Sequence, residues 1–228
     1  MGYRASRWRA VMLIALLFVS SALAVAVAVS TFAELKLLEK AGSGGITLAE
    51  AHANNERQHA LAVAYVIAVV VTIIGWCVWQ YRAQANVIAL GAAGARFSPG
   101  WAVGWWFIPF ANLVKPYQSV QELWKGSAPD HDGYGWSQKP GWPLIGFWWA
   151  AWLGAGSLER LNRSINGGAS GDVGSAIDRD RLAIVAALAV VVAGVLATII
   201  VMRIDARLAR RSTSPPSASS PQRPDLPG

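Results

Sequence analysis

His52, Glu56 and His59 are spaced four and three residues apart, so on a helix they project from one face. An imidazole–carboxylate–imidazole face contains the Glu-x-x-His half of the carboxylate-bridged metal sites built inside helical bundles. Such a site needs ligands from other helices, and Glu159, Asp172, Asp178 and Asp180 are the acids that could supply them. A solvated helix face at a membrane surface is the plainer reading, and no metal or cofactor is expected. The single cysteine, Cys77, makes neither an intramolecular disulfide nor a multi-cysteine metal site. No His-Glu-x-x-His pair, Gly-x-Ser-x-Gly elbow or Gly-x-x-x-x-Gly-Lys phosphate loop occurs. The chain is therefore expected not to be an enzyme. Ser30, Thr31, Thr72 and Thr198 lie in or near apolar stretches, where their hydroxyls are expected to bond back to their own helix carbonyls.

The elements that carry these residues are apolar. Hydrophobic residues make up 54% of the chain and charged residues 14%, too little polar surface for an ordinary soluble globule. Four stretches have lengths suited to crossing a hydrocarbon core of roughly 30 Å: 11–33, 60–79, 142–158 and 182–202. The third is near the lower limit. The first follows Arg4, Arg7 and Arg9, as a signal peptide would, but its apolar run exceeds the usual 7–15 residues, so a retained span is expected. No stretch holds an ionisable residue in its interior, which argues against ion or proton coupling. Thr47 and Glu50 form a capping-box pattern, predicting a helix from Leu48 that runs into the second stretch. Residues 1–211 are read as one membrane domain. Ser212–Gly228, with five prolines and five serines, is read as a disordered tail. Its Pro221-x-x-Pro224 is a candidate polyproline ligand, with a plain tail favoured.

Charge decides the orientation. If the N-terminus is cytoplasmic and only four stretches cross, the cytoplasmic side carries thirteen Lys/Arg and the opposite side seven. That asymmetry obeys the positive-inside rule and accounts for the net charge of +7 without invoking nucleic acid. Letting 101–114 cross as well would move the Arg-rich end at Arg203, Arg207, Arg210 and Arg211 outside.

Segment 101–125 is the oddity. Nine of the twelve tryptophans fall between Trp101 and Trp152. Residues 101–114 would span roughly 21 Å as a helix, short of the core, and Pro109 should end that helix near Ile108. Pro116 suits the start of a second helix, which Gly126 can end. On it Tyr117, Val120 and Trp124 are expected to share the apolar face, with Gln118, Glu122 and Lys125 turned away. Trp101, Trp105, Trp106, Phe107, Pro109, Asn112, Pro116, Tyr117 and Trp124 are the candidate lipid or partner surface. Gly146/Ala150/Gly154 and Ala189/Ala193/Ala197 are small-residue stripes on which helices could pack or the chain self-associate. Trp148 and Trp152 face away from the first stripe and are expected to meet the Trp-rich segment.

The run Trp106-Phe107-Ile108-Pro109, followed by Asn112, Pro116 and Leu123-Trp124, resembles the bacterial family known as domain of unknown function 4328. The resemblance extends over about Tyr3–Arg211 and implies a multi-pass protein of the bacterial inner membrane, with no activity attached. The expectation is an all-α integral membrane protein with four transmembrane helices, a Trp-rich re-entrant or interfacial helical segment, and both termini cytoplasmic. Its expected role is a non-enzymatic membrane component that binds lipid or a protein partner through that segment. The alternative is a small transporter or permease subunit for an uncharged molecule.

Overall fold

The computed structural model describes residues 7–42, 45–129, 135–166 and 173–213. In chain order the helices are α1 (Arg7–Gly42), α2 (Leu48–Ala89), α3 (Pro99–Gly104), α4 (Lys115–Gly126), α5 (Pro143–Asn166) and α6 (Val173–Thr213). Short 3₁₀ turns lie at Ala111–Leu113 and Gly135–Gln138, and no strand occurs among the described residues.

Segments Arg7–Leu37, Leu48–Ala89 and Asp178–Thr213 are long and apolar enough to cross a membrane. Helices α1, α2 and α6 contain 36, 42 and 41 residues. At 1.5 Å per residue each is roughly twice the length of a hydrocarbon core, so their ends must stand clear of it. The expected stretch 142–158 forms most of α5, where three tryptophans and three glycines dilute the aliphatic content. α5 is not among the three apolar candidates.

Helix α2 starts where the capping box predicts. The Thr47 hydroxyl accepts from the Glu50 amide at 3.2 Å, and the Glu50 carboxylate accepts from the Thr47 amide at 2.8 Å. Ser212 and Thr213 still belong to α6 rather than to a tail, while 214–228, including Pro221-x-x-Pro224, lie outside the described residues.

The long helices neighbour one another in the order α2, α1, α6, α5, because α1 lies along both α2 and α6 and α5 lies along α6, and Trp76 of α2 stacks on Trp148 of α5 at 5.1 Å. On α6 the buried stripe Ala186, Ala193, Ala197, Ile200, Ile204 and Leu208 recurs mainly at three- and four-residue spacing. Next to it, Gly194 lies against Ser21 so closely that a Cβ would collide with the hydroxyl. Ala193 and Ala197 of the expected stripe are thus in the interior. The other stripe is not packed: Ala150 is exposed, and nothing lies within 4 Å of where a Cβ on Gly146 or Gly154 would sit. The reason is that α5 turns Trp148 and Trp149 inward instead.

Two of the expected back-bonded hydroxyls also differ. Thr72 pairs with Ser20 at 2.7 Å, and Ser30 accepts from Arg57 Nε at 2.9 Å, so both bridge α1 and α2. Thr198 does bond back, to Gly194 O at 2.9 Å. His52, Glu56 and His59 are exposed on α2, and no group of three His, Cys, Asp or Glu is placed to hold a metal among the described residues. Asp172 lies outside them.

Candidate functional site: the tryptophan-rich turn

Ser98 caps α3 by accepting from the Trp101 amide at 3.3 Å, and Pro99 occupies the first turn, where its missing N–H costs nothing. The helix ends at Gly104, four residues before the expected stop at Ile108. Pro109 explains the difference. Its ring would strike the carbonyl four residues back, at Trp105, and it disfavours helical geometry at Ile108. The backbone therefore tightens into turns, with Trp106 N–H donating to Val103 O and Phe107 N–H to Gly104 O, both at 3.1 Å. At the tip Phe110 adopts φ 62°, a left-handed conformation that a phenylalanine rarely takes. Strain of this kind costs about 1–3 kcal/mol and persists only where surrounding contacts impose it.

Those contacts begin with Trp106. Its ring lies 6.0 Å from Trp76 of α2 and 5.5–6.3 Å from Trp148, Trp149 and Trp152 of α5. Trp149 Nε1 donates to Leu113 O at 3.0 Å, fixing the far side of the turn. Trp148 and Trp152 therefore meet the Trp-rich segment, as expected from their side of α5. They lie five and nine residues inside α5, so the turn reaches roughly 8–14 Å along that helix.

Beneath the tryptophans is a buried polar frame. Gln80 is fully buried and makes four hydrogen bonds. Its Oε1 accepts from the indoles of Trp76 and Trp106, each at 2.8 Å. Its Nε2 donates to Ala102 O at 3.0 Å and Ser119 Oγ at 2.8 Å. One side chain thus joins α2, α3, the turn and α4. One helical turn on, Gln84 Nε2 donates to Phe97 O and to Glu122 Oε1, both at 2.8 Å. The Glu122 carboxylate also accepts from the backbone amides of Phe97 and Arg96 at 3.1 Å. Glu122 is therefore buried between α4 and α2, not turned to solvent as expected. Burial pushes its carboxyl above the usual glutamate range, and the donated hydrogen bonds only partly offset that.

The remaining fastenings come from α5 and α6. Gln121 pairs its side-chain amide with both backbone groups of Trp142, at 3.0 Å each. Trp142 stacks on Trp124 at 4.3 Å, and Arg207 lies 3.7 Å over the Trp124 ring. Arg211 donates to Leu90 O at 2.6 Å, Gly126 O at 2.8 Å and Ala128 O at 3.3 Å, binding the ends of α2 and α4 together. The Leu90 and Gly126 carbonyls are among those a helix end leaves without an intrahelical partner.

The expected surface residues therefore divide. Trp101 and Phe107 are exposed, as is Pro109, and Trp105 packs tilted against Trp101, with ring centres 4.9 Å apart and Lys115 5.6 Å above the Trp105 ring. Asn112 is half-buried in the 3₁₀ turn. Trp106 and Pro116 face the interior, while Tyr117 and Trp124 are half-buried along α4. Phe110, absent from the expected set, is at 86% the most exposed large apolar side chain among the described residues, and Phe107 follows among its neighbours at 67%. Leu113 and Val114 complete an uncovered apolar tip. Sequence reasoning also missed Gln80, Gln84 and Glu122. The four-residue rhythm Trp76, Gln80, Gln84 was the available signal, because it sets two amides below an indole on one helix face.

A tryptophan-bearing Phe-Ile-Pro turn held between two long helices is the geometry behind the sequence motif. The family model for the Domain of unknown function (DUF4328) matches residues 43–206. The chain belongs to this family. The match takes in α2 to α5, the turn and most of α6. It is shorter than the expected Tyr3–Arg211, leaving α1 and the residues Arg207 and Arg211 outside it. No curated protein and no solved structure matches the chain. Within the DUF4328 region lie the whole Gln80 and Glu122 frame and every residue of the apolar tip.

Proposed function

We propose that this DUF4328 protein is a four-pass, non-enzymatic component of a bacterial inner membrane, with both termini cytoplasmic. In this reading its Trp-rich turn is a re-entrant wedge that grips lipid. Helix α5 is the fourth span, short because the wedge fills the gap between it and α2 on one side of the bilayer. The observation that carries the reading is the exposed apolar tip, Phe107, Phe110, Leu113 and Val114, on a turn fastened alongside Trp148–Trp152. In water such a patch would be costly, at roughly 25 cal/mol per Å² of apolar surface. In the hydrocarbon of the inner leaflet that cost disappears. Lys115 and the Trp101–Trp105 pair sit at the neck of the turn, which suits them to headgroup depth. The charge asymmetry of the connections supports the orientation.

The test is a depth measurement on the full chain in vesicles. With Cys77→Ser as background, Phe110→Cys and Gln138→Cys, both exposed positions, are each labelled with an environment-sensitive fluorophore. Position 110 should be quenched by shallow spin-labelled lipid and protected from aqueous iodide, with Gln138→Cys giving the reverse. A probe at position 110 that iodide quenches freely would sink the wedge.

A further inference from the structure

A groove of about 480 Å³ runs along α4 under the 94–97 turn and the Gly135–Gln138 turn. That volume falls in the range of roughly 300–1,000 Å³ usual for small-molecule sites. It lies off the apolar tip, and its walls are neither purely apolar nor self-satisfied. We infer that it binds a phosphate ester carrying a small hydroxylated head.

Four groups carry the assignment. Arg96 stacks 5.5 Å over Phe97, and its guanidinium donates no hydrogen bond among the described residues. Lys125 Nζ donates to Ser137 O at 3.2 Å, leaving two of its three N–H groups. The Tyr117 hydroxyl accepts from Gln121 at 3.2 Å, so its own proton is available. Gln118 Oε1 is buried and lacks a donor among the described residues. Two cations and a hydroxyl recognise a phosphate anion, and the amide oxygen asks for a neighbouring hydroxyl. Glu122 lines the groove as well, but its carboxylate is turned to the Arg96 and Phe97 amides and to Gln84. The groove therefore keeps a cationic balance, and the Trp136 indole, held to Ala93 O at 2.9 Å, gives it a flat wall.

The chemistry fits the glycerophosphate head of an anionic lipid and equally a free glycerol phosphate. It stands apart from wedge insertion, since detergent-solubilised protein serves for both. Native mass spectrometry of the full chain with dioctanoyl phosphatidylglycerol, and calorimetry with sn-glycerol 3-phosphate, separate the two sources. One saturable site is expected, weakened at least tenfold by Arg96→Gln or Lys125→Gln and unmoved by Arg203→Gln outside the groove. Arg96→Lys, which keeps the charge, should bind within about threefold of wild type and guards against a folding artefact. Binding of the lipid alone assigns a headgroup site, and comparable binding of the free ester assigns a soluble ligand. Unaltered binding in both neutral variants, or no saturable binding of either probe, overturns the inference.

Discussion

Gln80→Leu should release the Trp-rich turn from the long helices. The substitution keeps size and helix propensity but removes an acceptor shared by two indoles and a donor shared by Ala102 O and Ser119 Oγ. Hydrogen bonds between helices in a membrane average roughly 0.6 kcal/mol, so four lost bonds come to about 2.4 kcal/mol. The two indole N–H groups left without an acceptor cost about 1–3 kcal/mol each in a dry interior, which raises the upper end to about 6 kcal/mol. Even the lower figure is roughly a fifty-fold change in the unfolding equilibrium. Gln80→Glu should be no milder: its carboxylate still accepts from both indoles, but it buries a charge and sets an oxygen against Ala102 O, to which it can donate nothing. The order of stability in detergent, read by equilibrium unfolding, should be wild type, then the two variants. Thiol labelling of Asn112→Cys, on a Cys77→Ser background, should accelerate in the same order as the turn loosens. A Leu variant within about 0.5 kcal/mol of wild type, the ordinary scatter for an uninvolved surface site, would refute the claim that this amide holds the turn.

Three further outcomes follow from the same frame. Burial raises the folded pKa of Glu122 above its ordinary 4.5, so its favourable contribution is full below 4.5 and is lost as pH rises through the raised value. Wild type should therefore gain stability on Glu122→Gln as pH is lowered from 7.5 toward 5, and a loss on acidification would contradict the burial argument. Arg211→Ala removes the donor to three carbonyls and should cost about 2–3 kcal/mol, with Arg211→Lys recovering only part, because a point charge cannot span all three; equal midpoints in thermal unfolding would dismiss the clamp. Gly126→Ala places a Cβ 2.5 Å from Val87 Cγ1 and should cost about 1–3 kcal/mol by overpacking. Combining it with Val87→Ala should be less harmful than the sum of the two, as a double-mutant cycle would show.

Much of the scaffold was legible in the chain. The capping box placed the start of α2, and apolar length alone marked three long helices. Trp148 and Trp152 were placed correctly because indoles so far inside an apolar stretch lie deeper than the interfacial belt. The misreadings share a cause. Helical periodicity says which residues share a face but not which face is covered, so Glu122 read as solvated although two backbone amides and an amide side chain wait for it across the interface. The Gly146–Ala150–Gly154 stripe shows the same limit: small spacing permits close approach, yet among the described residues no helix of the chain comes to that side. Arg211 was hidden more deeply, since its partners lie 83 to 121 residues away in sequence.

The division of labour between tryptophan and phenylalanine follows from the same accounting of polar atoms. A buried indole N–H must find an acceptor or forfeit its hydration. Trp76 and Trp106 share Gln80, Trp149 takes Leu113 O, and Trp136 takes Ala93 O. Trp79 alone is buried without a partner among the described residues. The indoles of Trp106, Trp136 and Trp149 thus act as tethers, each fastening a ring to another element, while that of Trp76 bonds within α2. The uncovered tip instead carries Phe107 and Phe110, rings with no polar atom to satisfy. That is the arrangement a turn proposed to enter hydrocarbon requires: hydrogen-bonding aromatics on the protein side, where acceptors can be built in, and plain rings on the lipid side, where none exist.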